Sequence, residues 1–278
     1  MAVTFHESTV AAEAYAAGVL RQRLLTVERV PHTKVFLDRL AMAPDSAVGL
    51  NLPRTSLGWF QMLEGAAELH LGGETQPLTP AHIVFLPPGL EGELVSATGA
   101  VVLYAEMPDA VRFDPALAQQ PPALRIVDWT REPVLDSEHD ARKRIYMVTP
   151  KLFGTKALKG EMILYPPGTE GANHHHEGAE HFMYVLQGYG TAYANESPIP
   201  VRKGDLIYYG DRERHYLRSE GREEMRFVEF FVPGMYTTTW AEGAPVCTWL
   251  PTGRSITGEQ PVREIGKHSS AAATPQDV

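Results

Sequence analysis

Five of the eleven histidines in this chain fall between His174 and His215. In the segment GTEGANHHHEGAEHFMYVLQG, His174 and His176 are one residue apart. On a β-strand that spacing puts both imidazoles on one face and turns His175 to the other, because side chains alternate with a period of two. His181 opens the apolar run HFMYVLQ, where it shares a face with Met183, Val185 and Gln187. His215 follows the block GDLIYYG and meets the others if the strands fold back on one another. Neutral imidazoles are the commonest protein ligands for Fe, Ni, Cu and Zn, so the pattern reads as a metal site. Three adjacent histidines also occur in solvated runs, but His181 downstream and His215 behind a Gly-Asp turn argue against that here. The run is internal and flanked by strand signals, which excludes a purification tag.

The elements that must position these residues are short strands. From Val35 onward the runs WFQML, AELHL, HIVFLP and AVVLYAEM are separated by Gly- and Pro-containing turns, a texture of sandwiches and barrels. A second block, residues 143–235, repeats it with GEMILYPPG, HFMYVLQGYGTAY, GDLIYYG, RHYLRS and MRFVEFFVPG. Each block reads as strand, Glu-Gly or Gln-Gly turn, strand, polar turn, strand and a Gly or Pro break, so two similar barrels are expected in one chain. The first covers residues 31–110, and residues 111–142, rich in Pro, Asp and Gln without a sustained period, form the linker. Within an N-terminal segment of residues 1–30, the Ala- and Leu-rich stretch 8–25 behind Ser8 is expected to form a short helix. Residues 236–278 form a C-terminal extension that ends in a disordered tail. Its stretch 235–265 carries Cys247 and two of the four tryptophans and is expected to pack across a barrel mouth or against a partner.

Composition narrows the function classes. The chain has 278 residues, with 25 Lys and Arg against 34 Asp and Glu, a formal charge of -9. Nucleic acid and anionic membrane surfaces need a basic face and are not expected as partners. No apolar run approaches the ~20 residues that span a bilayer, and the start lacks a secretory pattern. A single cysteine excludes an internal disulfide and fits a cytoplasmic location. The expected partners are a small-molecule substrate and, to cover exposed strand edges, a second copy in a homodimer.

The chain resembles the cupin superfamily, whose motifs read G-x5-H-x-H-x3-4-E-x6-G and G-x5-P-x-G-x2-H. Gly168 is followed by five residues, His174, one residue and His176; four more lead to His181 and a further six to Gly188. In the second motif Gly204 is followed by five residues, Gly210 stands for the proline, Arg212 for the second glycine, and His215 for the histidine. The resemblance implies an all-β fold of two tandem cupin barrels, double-stranded β-helices of the jelly-roll type, with one divalent metal ion in the C-terminal one. His174, His176 and His215 fall on ligand positions. The fourth position belongs to His181 counted back from Gly188, or to Glu180 counted forward from His176. The N-terminal block lacks ligand residues at the matching positions, so the first barrel is expected to be metal-free, with His70 and His82 as ordinary sheet residues.

Neutral histidines leave the ion's charge uncompensated, which favours a small anionic or enolate-like substrate. Candidates for polar contacts in the barrel are Gln187, Glu161, Tyr165, Arg226 and Glu229, in a chamber lined by Met183 and Val185; Tyr208 and Tyr209 read as packing residues. Resemblance to histidine-only cupin dioxygenases implies Fe(II) as the favoured metal and oxygen chemistry, with Mn(II), Ni(II) or Zn(II) as alternatives. The layout also resembles the Mn-dependent (S)-ureidoglycine aminohydrolases, which share the turn formed here by Gly204, Asp205, Ile207 and Gly210, so a hydrolase or a cupin isomerase stands as the second reading. A cupin that binds a small molecule without catalysis is the third.

Overall fold

The computed structural model describes residues 2–270 and Val278 and shows two compact β-units, one formed by residues 7–129 and the other by residues 1–6 and 130–278. Both are pairs of antiparallel sheets closed over an apolar core, as the repeated strand pattern requires.

In the first unit a seven-stranded sheet runs Arg125–Asp128, His82–Leu86, Leu57–Gly65, Ala100–Met107, Phe36–Met42, Val19–Leu25 and Glu13–Ala16. A four-stranded sheet of Ser46–Asn51, Glu91–Ser96, Ala67–Leu71 and Glu74–Leu78 faces it. Alternate residues meet between the sheets: Leu40, Phe60 and Val102 on one side pack with Val48, Leu69 and Leu94 on the other. At Gly65, φ is +73° and an added Cβ would lie 2.2 Å from the carbonyl oxygen of Gly99, so no larger residue fits that turn.

The helix expected over 8–25 is absent. A 3-10 turn at Glu7–Thr9 precedes a β-hairpin in which Glu13–Ala16 pairs with Val19–Leu25 across Gly18, whose φ is +72°. Pairing of Val19–Leu25 with Phe36–Met42 buries Val19 and Leu25, and that long-range gain overrides the local preference of Ala and Leu for helix. The stretch 111–142 is also more ordered than a connector: Arg125–Asp128 pairs with His82–Leu86 of the first unit, and Leu135–Ser137 joins a sheet of the second.

In the second unit the nine-stranded sheet runs Val3–His6, Asp205–Tyr209, Glu180–Gln187, Met225–Val232, Lys159–Tyr165, Lys143–Val148, Leu135–Ser137, Thr248–Pro251 and His268–Ser269. The five-stranded sheet is Ser197–Arg202, Tyr189–Ala194, His215–Ser219, His174–Glu177 and Thr237–Trp240. Ile163, Val185, Ile207, Leu217 and Phe227 form the core between them. The C-terminal extension supplies strands to both sheets, and part of the stretch expected as a disordered tail is structured: His268 pairs with Trp249, and Val278 is buried with its carbonyl accepting from Thr149 Oγ1. Residues 271–277 of that tail lie outside the described residues. Among the described residues no helix is long and apolar enough to cross a membrane.

Candidate metal centre

His174 and His176 project from one face of His174–Glu177, and the ladder sets His174 opposite His215. Their ligand atoms, with that of His215, lie within 4.8 Å of one another. His175 points away, its Nε2 3.2 Å from Glu177 Oε1. His181 comes from the other sheet, opposite Tyr209 and Phe231, and brings its ring to 4.5 Å from that of His215 and 5.1 Å from that of His176. Glu180, the neighbouring residue, faces the opposite side of its strand, where Tyr208 donates to its Oε2 at 2.8 Å. The fourth ring in the cluster is therefore that of His181.

The inner ring nitrogens are oriented by what the outer ones bind. His174 Nδ1 lies 2.8 Å from the carbonyl oxygen of Ala172, and His215 Nδ1 lies 2.7 Å from that of Glu213. A carbonyl only accepts, so each Nδ1 carries the proton and each Nε2 presents a lone pair inward. His176 Nδ1 is 3.1 Å from Thr238 Oγ1. The Nε2 atoms of His181 and His215 are buried without a hydrogen-bond partner. Burial lowers the pKa of His174, His176 and His181, with mutual repulsion among the imidazoles adding to it. His215 is lowered to about 4, again chiefly by burial. Buried, neutral imidazoles with orphaned lone pairs and hydrogen-bonded outer nitrogens are what a divalent ion requires, and this donor set fits one.

His174, His176 and His215 border a cavity of about 50 Å³, room for a few water-sized groups. Of the polar residues expected around it, Glu161, Tyr165 and Glu229 line it, as does Met183, whereas Val185 sits in the core. Gln187 and Arg226 do not line it. A bulge between Val185 and Gln187 breaks the alternation, Gln187 Nε2 donates to the Glu224 carbonyl, and Arg226 pairs with Glu224 at 2.9 Å.

Sequence reading missed the cations. Arg142, Arg144 and Lys159 all reach the cavity and are nearly inaccessible. The alternation of Arg142, Arg144 and Tyr146 in ARKRIYM was the available signal, since three residues at that spacing share one strand face. Arg142 pairs with Asp140 at 2.6 Å, and Arg144 Nε lies 3.1 Å from Glu161 Oε2. Lys159 Nζ donates to Tyr236 Oη at 2.7 Å and lies 3.9 Å from Glu161 Oε1.

Glu161 and Glu229 are direct cross-strand partners. Burial opposes ionisation of Glu161, but Arg144, Lys159 and a hydrogen bond from Glu229 outweigh it and hold its carboxyl below the usual range. Burial and the adjacent charge of Glu161 push Glu229 well above that range. The pair thus shares one proton, held by Glu229.

A cupin domain family matches residues 161–231. No curated protein matches the chain. Among solved structures, a serine-to-alanine variant of Bacillus subtilis oxalate decarboxylase superposes with a TM-score of 0.67 at 14% identity, covering 85% of this chain and 78% of that one. The same enzyme in work on its Mn(II) centres gives 0.68 at 14%, and its structure at pH 4.6 gives 0.66 at 14%, each with the same coverage. At such identity the likeness is one of fold.

Proposed function

We propose that this chain, folded as two tandem cupin barrels, carries in its second barrel the metal-dependent active site of an enzyme acting on a small organic anion. The observation that carries this reading is the meeting of three neutral imidazoles, those of His174, His176 and His215, with buried cations around one small cavity, with the His181 ring packed against them. His174, His176 and His215 would hold the ion, with His181 as the fourth ligand. Arg142 and Arg144 have carboxylate partners in Asp140 and Glu161, so Lys159 and the double charge of the ion are left for the substrate to balance. The cavity's size restricts the buried part of that substrate to a few heavy atoms.

When bound, a divalent ion supplies Lewis-acid polarisation of a coordinated oxygen or, as Fe(II), a platform for O₂. Residues of this chain supply the rest. Glu229 holds a transferable proton beside the histidines, and Arg144 keeps Glu161 ionised so that the proton stays on Glu229. Lys159, fixed by Tyr236, offers its ammonium to an anionic group. A shared-proton pair of this kind suits lyase, isomerase or hydrolase chemistry, in which a proton changes place. A dioxygenase is the second reading, favoured by the all-nitrogen donor set. Fe(II) fits that reading and Mn(II) the first. A cytoplasmic homodimer belongs to the same proposal, to be checked by cell fractionation and light scattering.

The discriminating experiment is metal analysis of untagged protein followed by turnover assays on the metal-loaded form. Oxygen uptake with diketones or catechols, ammonia release from ureidoglycine and carbon dioxide release from oxalate and related small acids separate the classes. Oxygen consumption coupled to product puts the dioxygenase first. Binding of small acids without turnover of any of them overturns the enzyme reading, and protein that holds no ion overturns the metal centre.

A further inference from the structure

The two units match in register, and the match exposes a site in the first. Asp38 stands opposite Tyr104 there, as Glu161 stands opposite Glu229 in the second unit. The flanking pairs agree: Phe36 with Glu106 corresponds to Lys159 with Phe231, and Leu40 with Val102 corresponds to Ile163 with Phe227. One strand further out, Arg21 faces Leu40 as Arg144 faces Ile163. Asp38 and Arg21 therefore occupy the places of Glu161 and Arg144. The place of His181, opposite Phe231, falls at Gly58, opposite Glu106. A Cβ on Gly58 would meet Leu52 Cδ2 at 2.8 Å and Leu86 Cδ1 at 3.3 Å. Leucine side chains crowd the metal-ligand position, while the polar end of the barrel persists.

That polar end is a cavity of about 300 Å³ lined by Arg21, Arg23, Asp38, Tyr104 and Glu106, with Tyr15 at its edge. Its acid and base are incompletely satisfied from within. Asp38 Oδ1 is buried with no hydrogen-bond partner, and Arg21 Nη1 stands 3.9 Å from Oδ2, beyond hydrogen-bond reach. Arg21 is instead held by Glu13 at 2.6 Å and lies over the Tyr15 ring. Arg23, directly opposite Asp38 in the ladder, is half-buried. A buried carboxylate oxygen without a donor is costly unless a ligand supplies one. Burial raises Asp38 to about 6, so it is largely ionised at neutral pH.

We propose that the first barrel binds a small zwitterion of the amino-acid class, its ammonium on Asp38 and Glu106 beside Tyr104 and its carboxylate on Arg23. With Arg21 paired to Glu13, a simple cation in this cavity would leave Arg23 unanswered, and a simple anion would face the carboxylates of Asp38 and Glu106. A ligand carrying both charges meets both sets.

The test is equilibrium dialysis of the full chain with radiolabelled glycine and L-serine, with acetate and methylamine as single-charge probes. The expected result is saturable binding of an amino acid at one site per chain, with both single-charge probes at least roughly tenfold weaker. Asp38→Asn and Arg23→Gln should each weaken it by at least about tenfold, and His215→Ala should leave it unchanged. Arg23 is half-exposed, so its variant keeps the test intact if Asp38→Asn fails to fold. Absence of saturable binding by both amino acids overturns the proposal. So does equal binding of methylamine or acetate, survival of binding in Arg23→Gln, or its loss in His215→Ala.

Discussion

The proton assignment in the second barrel makes a prediction that needs no knowledge of the substrate. Glu161 is ionised and pairs with buried Arg144 at 3.1 Å, the two side chains being 1% and 13% exposed, whereas Glu229 is protonated. Glu161→Gln removes the anion and leaves the guanidinium buried without its counter-charge. Breaking a buried pair from one side costs about 3–5 kcal/mol. Glu229→Gln exchanges a neutral acid for a neutral amide of similar shape that still donates to Glu161, so its cost should stay within about 1 kcal/mol. Urea unfolding followed by far-UV circular dichroism measures both. For a unit of about 150 residues the Glu161→Gln loss corresponds to a fall in Tm of roughly 6–20 °C, against a few degrees for Glu229→Gln. If the two variants are equally destabilised, or Glu229→Gln is the weaker, the proton does not reside on Glu229 and the acid–base reading fails with it. If the assignment holds, Glu229→Gln should fold normally and lower turnover by about 10²–10⁴.

Three further outcomes follow from the same geometry. His176→Ala and His215→Ala should abolish metal uptake, and Thr238→Val, which removes the contact to His176 Nδ1, should weaken it by about 10–100-fold; metal content after dialysis reads both, and full occupancy in His176→Ala would refute the site. The lowered pKa of His215 means the unfolded chain binds more protons than the folded one between pH 4 and 6.5. Metal-free protein should therefore keep this stability above about pH 6.5 and lose roughly 3 kcal/mol as the pH falls toward 4, visible as a falling urea midpoint. Gly65→Ala should destabilise the first unit by at least about 2 kcal/mol, since it forces a Cβ into left-handed backbone and onto the Gly99 carbonyl; an unchanged melting curve would contradict the turn geometry.

The succession of short strands along the chain, the duplication and the histidine cluster were legible in the sequence because each rests on a short-range rule. Alternation puts His174 and His176 on one face whatever surrounds them, and turn residues recur at matching intervals in both blocks. What lay beyond the sequence depends on which strand pairs with which. The choice between His181 and Glu180 is a choice of face, and only the ladder with Tyr209 and Phe231 shows which one looks into the barrel. Residues 13–25 have helical composition yet form a hairpin, because the strand Phe36–Met42 offers them burial that an isolated helix lacks. Gln187 left the cavity through a one-residue bulge, which the apolar pattern does not encode. Nothing along the chain marks Arg144 and Lys159 as cavity groups, and they become so because Glu161 and Tyr236 arrive from distant segments to compensate their burial, whereas Arg142 is paired locally by Asp140. The sequence by itself determined that imidazoles gather at one end of a β-barrel. The tertiary structure decided which charges face them, because the energy of a buried charge depends on its neighbours in space and not on its neighbours in the chain.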